Sequence, residues 1–137
     1  MEGDGLLTMD EILGLRLNAD WVVLSACNTA AGQGAGAEAV SGLGRAFFYA
    51  GARALLVSHW PVETTSALAL TTELFRRQSA NPRLTRAHAL RHTMNWLIDE
   101  GEFVDSATRQ TVFSYAHPIF WAPFALVGDS GSDMTVR

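Results

Sequence analysis

The chain of 137 residues has a single cysteine, Cys27, at a junction that suits a nucleophile. The apolar run Trp21-Val22-Val23-Leu24 passes through Ser25 and Ala26 to Cys27, and a small, polar, Gly-rich stretch follows from Asn28 to Gly36. A bounded apolar run of this length predicts a strand buried on both faces, as in a parallel sheet. Cys27 would then stand at the carboxyl end of that strand, where open α/β sheets bind ligands. A thiol attacks as the thiolate, and with an ordinary pKa of about 8.5 it needs a base or a positive field. A free cysteine is just as commonly a small buried hydrophobe, and position alone does not separate the two readings.

Of the four histidines, His59 is the one the chain can bring toward Cys27. It follows a second apolar run, Ala54-Leu55-Leu56-Val57-Ser58. His59 reads as a substitute base or as a wall of a substrate pocket, and the wall is the better reading. Trp60-Pro61 forms a rigid turn, with Trp60 a candidate to cap the pocket. Glu38 and Glu63 are the acids nearest this rim; each would select a basic side chain or simply cap a helix. His88 and His92, four apart, have a spacing that can bind a metal. They lack a third ligand, and four-coordinate zinc needs more. They read as a solvated pair, so no metal and no cofactor is expected. His117-Pro118 reads as structural, because a residue before proline is held extended. The Gly32–Gly36 loop lacks the Lys-Ser/Thr of a phosphate-binding loop.

The elements that must position these residues follow from spacing. Thr8 and Glu11 form a capping box, predicting a short helix from Met9 to about Gly14 with Met9, Ile12 and Leu13 on one face. A second helix opens near Glu38, whose charge suits the helix dipole, with Val40, Leu43 and Phe47 at helical spacing. Gly42 and Gly44 inside it predict close packing on a sheet, and Gly51 fits a C′ cap. Strand, helix and strand make a βαβ unit, so the Cys27 and His59 strands should be parallel and end on the same rim. A third helix is expected from Thr64 or Thr65 to about Gln78, with Ala67, Leu70, Thr71, Leu74 and Phe75 on its packed face. Asn81-Pro82 breaks it. A fourth starts near Thr85 and packs Ala87, Leu90, Met94, Leu97 and Ile98. Residues 99–116 read as loop with a short helical piece. Phe124 to Val127 predict a last strand, and residues 129–137 a flexible tail.

Composition narrows the partners. Apolar residues make up 48% and charged residues 18% of the chain, values of a single globular domain. The net charge is −4 and every one of the ten basic residues is Arg. No basic run exists to follow phosphates, which argues against nucleic acid. One cysteine makes no internal disulfide. No apolar run is long enough for a bilayer, and Met1-Glu2-Gly3-Asp4 does not open a signal peptide. A cytoplasmic location away from membranes is the expectation.

Several separated motifs, in order, resemble the CHAT domain of the caspase-like cysteine peptidases. They are Leu24-Ser25-Ala26-Cys27-Asn28-Thr29-Ala30, Gly42-Leu43-Gly44-Arg45-Ala46-Phe47, Ala50-Gly51-Ala52, Val57-Ser58-His59-Trp60-Pro61-Val62 and His117-Pro118 to Trp121-Ala122-Pro123-Phe124. The resemblance implies a three-layer αβα sheet, mostly parallel, and a Cys27 thiolate that cleaves peptide bonds. Asn28 and Thr29 would shape the nucleophile loop, and the His59 site would line the substrate cleft. It also implies bacterial regulated proteolysis and frequent attachment to tetratricopeptide repeats.

In that family the partner histidine comes from a His-Gly motif before the Cys strand, and this sequence begins after it. The chain thus resembles the C-terminal half of a CHAT domain, residues 1–137, without its N-terminal strands. Its expected partners are a protein or peptide substrate and the N-terminal half or a repeat region. The rival reading is a docking module or remnant with no activity of its own. A Cys27 strand left at the sheet edge would also favour self-association.

Overall fold

The computed structural model describes residues 7–24 and 36–131, with side chains described over 7–24 and 42–131. The first helix, α1 (Met9–Gly14), begins as its sequence dictates. The Thr8 side chain accepts from the Glu11 N–H, and the Glu11 carboxylate accepts from the Thr8 N–H at 2.7 Å. Of its three apolar residues only Ile12 is buried; Met9 and Leu13 face outward.

β1 (Val22–Leu24) leads to α2 (Gly36–Tyr49) and then β2 (Ala54–Ser58). β1 and β2 pair in parallel, with Val22 opposite Leu55, Val23 opposite Leu56 and Leu24 opposite Val57. The βαβ unit expected from the two apolar runs is therefore present. Glycine sets how α2 meets it. A Cβ on Gly44 would stand 3.2 Å from the Leu55 side chain, so the absent methyl lets helix and strand approach. Gly51 ends the helix with φ of +105°, the left-handed conformation expected of a C′ glycine.

Alternation along β2 divides the core. Leu55 and Val57 pack with Ile12, Ala46, Phe47, Ala50 and Ala52 from α1, α2 and the turn that follows. Leu56 points the other way, into a cluster of Leu70, Leu74, Ala89, Leu90, Leu97, Tyr115 and Phe124. Every residue of β2 from Ala54 to Val57 is buried. Fully burying each leucine contributes roughly 1.5–3 kcal/mol. Most of that second cluster comes from α3 (Thr64–Ala80) and α4 (Arg86–Asp99), the latter capped by Thr85.

Three features depart from the sequence reading. The first is the 99–116 segment, which is not loop but an antiparallel hairpin of β3 (Glu102–Val104) and β4 (Thr111–Ser114). Asp105 builds its turn by accepting from the Thr108 and Ala107 N–H groups at 2.8 Å each, which hold its carboxyl below the ordinary value. Phe103 stacks on Phe113, with ring centroids 5.2 Å apart. These cross-strand contacts are invisible to a helical period.

The second is strand direction. β5 (Phe124–Gly128) runs antiparallel to β2, giving the order β1-β2-β5, so the sheet is mixed where a mostly parallel one was expected. The reason lies in the route of the chain. A short 3-10 helix (Pro118–Phe120) returns it to the carboxyl end of β2, where Pro123 accepts from the His59 N–H at 2.9 Å. A chain re-entering at that end must run back along β2.

The third is β1, expected to be buried on both faces. Its burial is partial, with Val23 exposed, because α3 covers it incompletely and no strand flanks its outer edge among the described residues. Beyond β5 the chain stays tied down through Gly131. The Asp129 N–H donates to the Arg53 carbonyl, its carboxylate pairs with Arg86, and the Ser130 carbonyl accepts from Ala87.

Candidate functional site

The candidate site is the rim at the carboxyl ends of β1 and β2. Parallel register brings both strands to it: Leu24 and Val57 are partners, Cys27 follows Leu24 by three residues, and His59 follows Ser58 directly. Cys27, Asn28 and Thr29 lie outside the described residues. Glu38 lies in the first turn of α2, and its side chain is also outside them. The other sequence-derived candidates are in view.

His59 has its backbone fixed to Pro123 and its side chain exposed. Trp60 stands half exposed beside it. Glu63 is the N-cap of α3, where its carboxylate accepts from the Thr65 N–H at 2.9 Å, the Thr65 hydroxyl at 2.7 Å and the Ser66 N–H at 2.7 Å. Burial pushes this carboxyl up, but those hydrogen bonds outweigh it and hold the pKa below the ordinary carboxylate value. The consequence for stability has a definite sign. A depressed folded-state pKa gives stability that is present above the ordinary value of 4.5 and lost as pH falls below it. Replacing Glu63 by Ala is expected to cost about 1 kcal/mol at pH 7. By urea melts the gap between variant and wild type should close as pH falls below 4.5.

One residue that sequence reasoning passed over holds the rim in shape. Tyr115, buried after β4, donates its hydroxyl to Thr65 Oγ1 at 2.8 Å, pinning the hairpin to the start of α3. Its ring meets Phe113 and Phe120 edge-on at 5.5 and 5.4 Å. The signal was the alternation of Phe113 and Tyr115, since a buried tyrosine hydroxyl must find a partner.

The remaining histidines are elsewhere. His117 Nδ1 accepts from the Ile119 N–H at 3.2 Å and so caps the 3-10 helix. His88 and His92 are exposed on α4, their rings parallel with centroids 6.3 Å apart. Among the described residues no three His, Cys, Asp or Glu side chains are grouped to hold a metal. Among the described residues no helix is long and apolar enough to cross a membrane.

At the opposite rim, the amino ends of the strands are tied by charge. Asp20 accepts from Arg53 at 2.6 Å and Arg86 at 2.9 Å. The hydrogen bond from Arg53, more than any other contact, holds its carboxyl below the ordinary value. A hollow of about 390 Å³ lies here, lined by Gln78, Arg83, Thr85 and Arg86 among others. It is on the far side from the residues that could do chemistry.

The mouse tetratricopeptide repeat protein 28 is 31% identical over 123 residues, which is 90% of this chain but only 4% of that protein's length. No solved structure matches significantly. Residues 1–129 match the CHAT domain, the span that runs from α1 to the end of β5 with both rim strands inside it, and the chain belongs to the CHAT domain family.

Proposed function

We propose that this chain is the nucleophile-bearing part of a CHAT-type, caspase-like cysteine endopeptidase, its helices and sheet forming part of a three-layer αβα fold. In this reading the Cys27 thiolate attacks the carbonyl carbon of a peptide bond. A histidine gives its proton to the departing amine, and water then hydrolyses the thioester, releasing the acid and restoring the thiol. Backbone N–H groups hold the oxyanion. Asn28 and Thr29 shape the nucleophile loop, and His59 and Trp60 wall the pocket. Glu38 is the acid available to read a basic side chain, since the Glu63 carboxylate is taken up as the N-cap of α3.

The observation that carries this reading is the family match over a chain whose parallel β1 and β2 end at one rim, with His59 directly after β2 and Cys27 three residues after β1 in the sequence. The four histidines are followed by Trp60, Ala89, Thr93 and Pro118, so none forms the family's His-Gly motif. The base therefore comes from a segment outside this sequence, and the tetratricopeptide relative is consistent with a larger parent protein.

Labelling of residues 1–137 with a thiol-reactive probe across pH tests the assignment. Wild type and His59→Ala should both titrate near about 8.5, the ordinary thiol value, because His59 is a wall and not a base. A wild-type pKa well below this, returned to the ordinary value by His59→Ala, would put the base on this chain and overturn the reading.

A further inference from the structure

The hollow at the amino ends of the strands has no part in the proposed peptidase chemistry, yet its walls are built. Its volume of about 390 Å³ falls within the roughly 300–1,000 Å³ of small-ligand pockets. Four polar side chains that line it are placed to donate. Trp21 Nε1 donates to Gln78 Oε1. An indole only donates, so this bond fixes which end of the amide is oxygen and leaves the Gln78 NH₂ group to a ligand. Thr85 accepts from the His88 N–H at 3.2 Å, and its own hydroxyl proton has no acceptor among the described residues. Arg86, its side chain only 11% exposed, is held by Asp20 at 2.9 Å and by the Asp129 carboxylate at 3.4 Å. Arg83 is exposed, and among the described residues its guanidinium makes no ion pair.

We infer that this hollow binds a small carboxylic acid that also carries a hydroxyl or an amino group. The balance of charge selects the carboxylate. Arg53, Arg83 and Arg86 bring three positive charges to this rim, and Asp20 and Asp129 bring two negative ones, an excess of one positive charge. A single carboxylate cancels that excess, whereas a phosphate dianion overshoots it beside Asp20. Arg53 and Arg86 are already committed, which leaves the planar fork of Arg83 to take a carboxylate by two parallel hydrogen bonds.

The second group follows from Asp20. Arg53 and Arg86 both bind its Oδ1, at 2.6 and 2.9 Å. Its Oδ2 has no partner among the described residues, and a carboxylate oxygen only accepts. A hydroxyl or ammonium beside the ligand's carboxylate supplies the donor. Pro82 gives the hollow an apolar wall for a short hydrocarbon part.

Titration of ¹⁵N-labelled residues 1–137 with lactate, alanine, propionate and inorganic phosphate, at constant ionic strength, tests this. The Trp21 indole N–H, bonded to Gln78, is the reporter. Lactate or alanine should shift it with a Kd of about 1 mM, well inside the ceiling for a ligand of about six heavy atoms. The tighter of the two identifies the second group. Propionate, which lacks that group, and phosphate should each bind at least about fivefold more weakly. Arg83→Gln should weaken binding at least about tenfold, and Arg91→Gln, exposed farther along α4, should leave it unchanged. No shift up to about 50 mM of any acid, a scale far above the expected Kd, would overturn the inference. So would binding indifferent to Arg83→Gln, propionate binding as well as lactate and alanine, or phosphate binding more tightly than both. Binding at the amino rim involves no thiol, so this result and the peptidase assignment can fail separately.

Discussion

Replacing Gly51 by Ala is expected to destabilise the chain by about 3 kcal/mol. Two costs add. An L-residue at φ of +105° is strained by roughly 1–2 kcal/mol. The new Cβ would also press into the Leu17 carbonyl, and forced overpacking costs typically 1–3 kcal/mol more. The same junction has a role in placing the site. The Leu17 N–H donates to the Ala50 carbonyl at 2.6 Å, the Arg53 N–H donates to Ala19 at 2.9 Å, and Ala19 bridges Ala52 in parallel. These bonds seat the chain entering β1 against the chain entering β2, three residues before their ladder begins. Gly51→Ala should therefore loosen β1 before β2. Urea denaturation gives the overall loss. Hydrogen exchange should show Val22–Leu24 amides losing more protection than those of α4. An unchanged melt would mean that the Leu17 segment simply moves aside.

That junction was legible from sequence because its signals are local. Gly51 after an amphipathic run, the Thr8/Glu11 box and the two bounded apolar runs each state a conformation within a few residues. The hairpin was not legible. Its strands are three and four residues long, and its turn is a polar Asp105–Gln110 stretch without Asn-Gly or Asp-Gly. Its cohesion comes from Phe103, Phe113, Tyr115 and Phe120 meeting in space. Burial at β1 was misjudged for a related reason. An apolar pattern tells which side of Val23 or Phe75 wants a partner, not whether that partner lies on the same chain. The direction of β5 depended on where the chain re-enters, which no period encodes. At the rim, sequence could place His59 beside the Cys27 strand end. It left Glu63 open between cap and specificity residue until the contacts with Thr65 and Ser66 were seen.

Supplying a histidine-bearing segment should raise peptide cleavage by the chain by about 10²–10⁴-fold, the range general-base assistance commonly gives. The chain alone should cleave at or near background. An ordinary thiol is only a few per cent thiolate at pH 7, and His59 stands at the rim with its side chain exposed. The segment to test is the upstream His-Gly-bearing half of a CHAT domain, added in trans or fused before Met1, with a fluorogenic peptide library as substrate. Cys27→Ala should abolish the gained activity, and His→Ala in the added segment should do the same. His59→Ala should instead shift KM and substrate preference more than kcat, as expected for a pocket wall that binds ground and transition states alike. Cleavage that survives Cys27→Ala would remove the nucleophile assignment. Tight association with no cleavage for any peptide would favour a docking role, in which family membership carries the scaffold of β1, α2 and β2 without its chemistry.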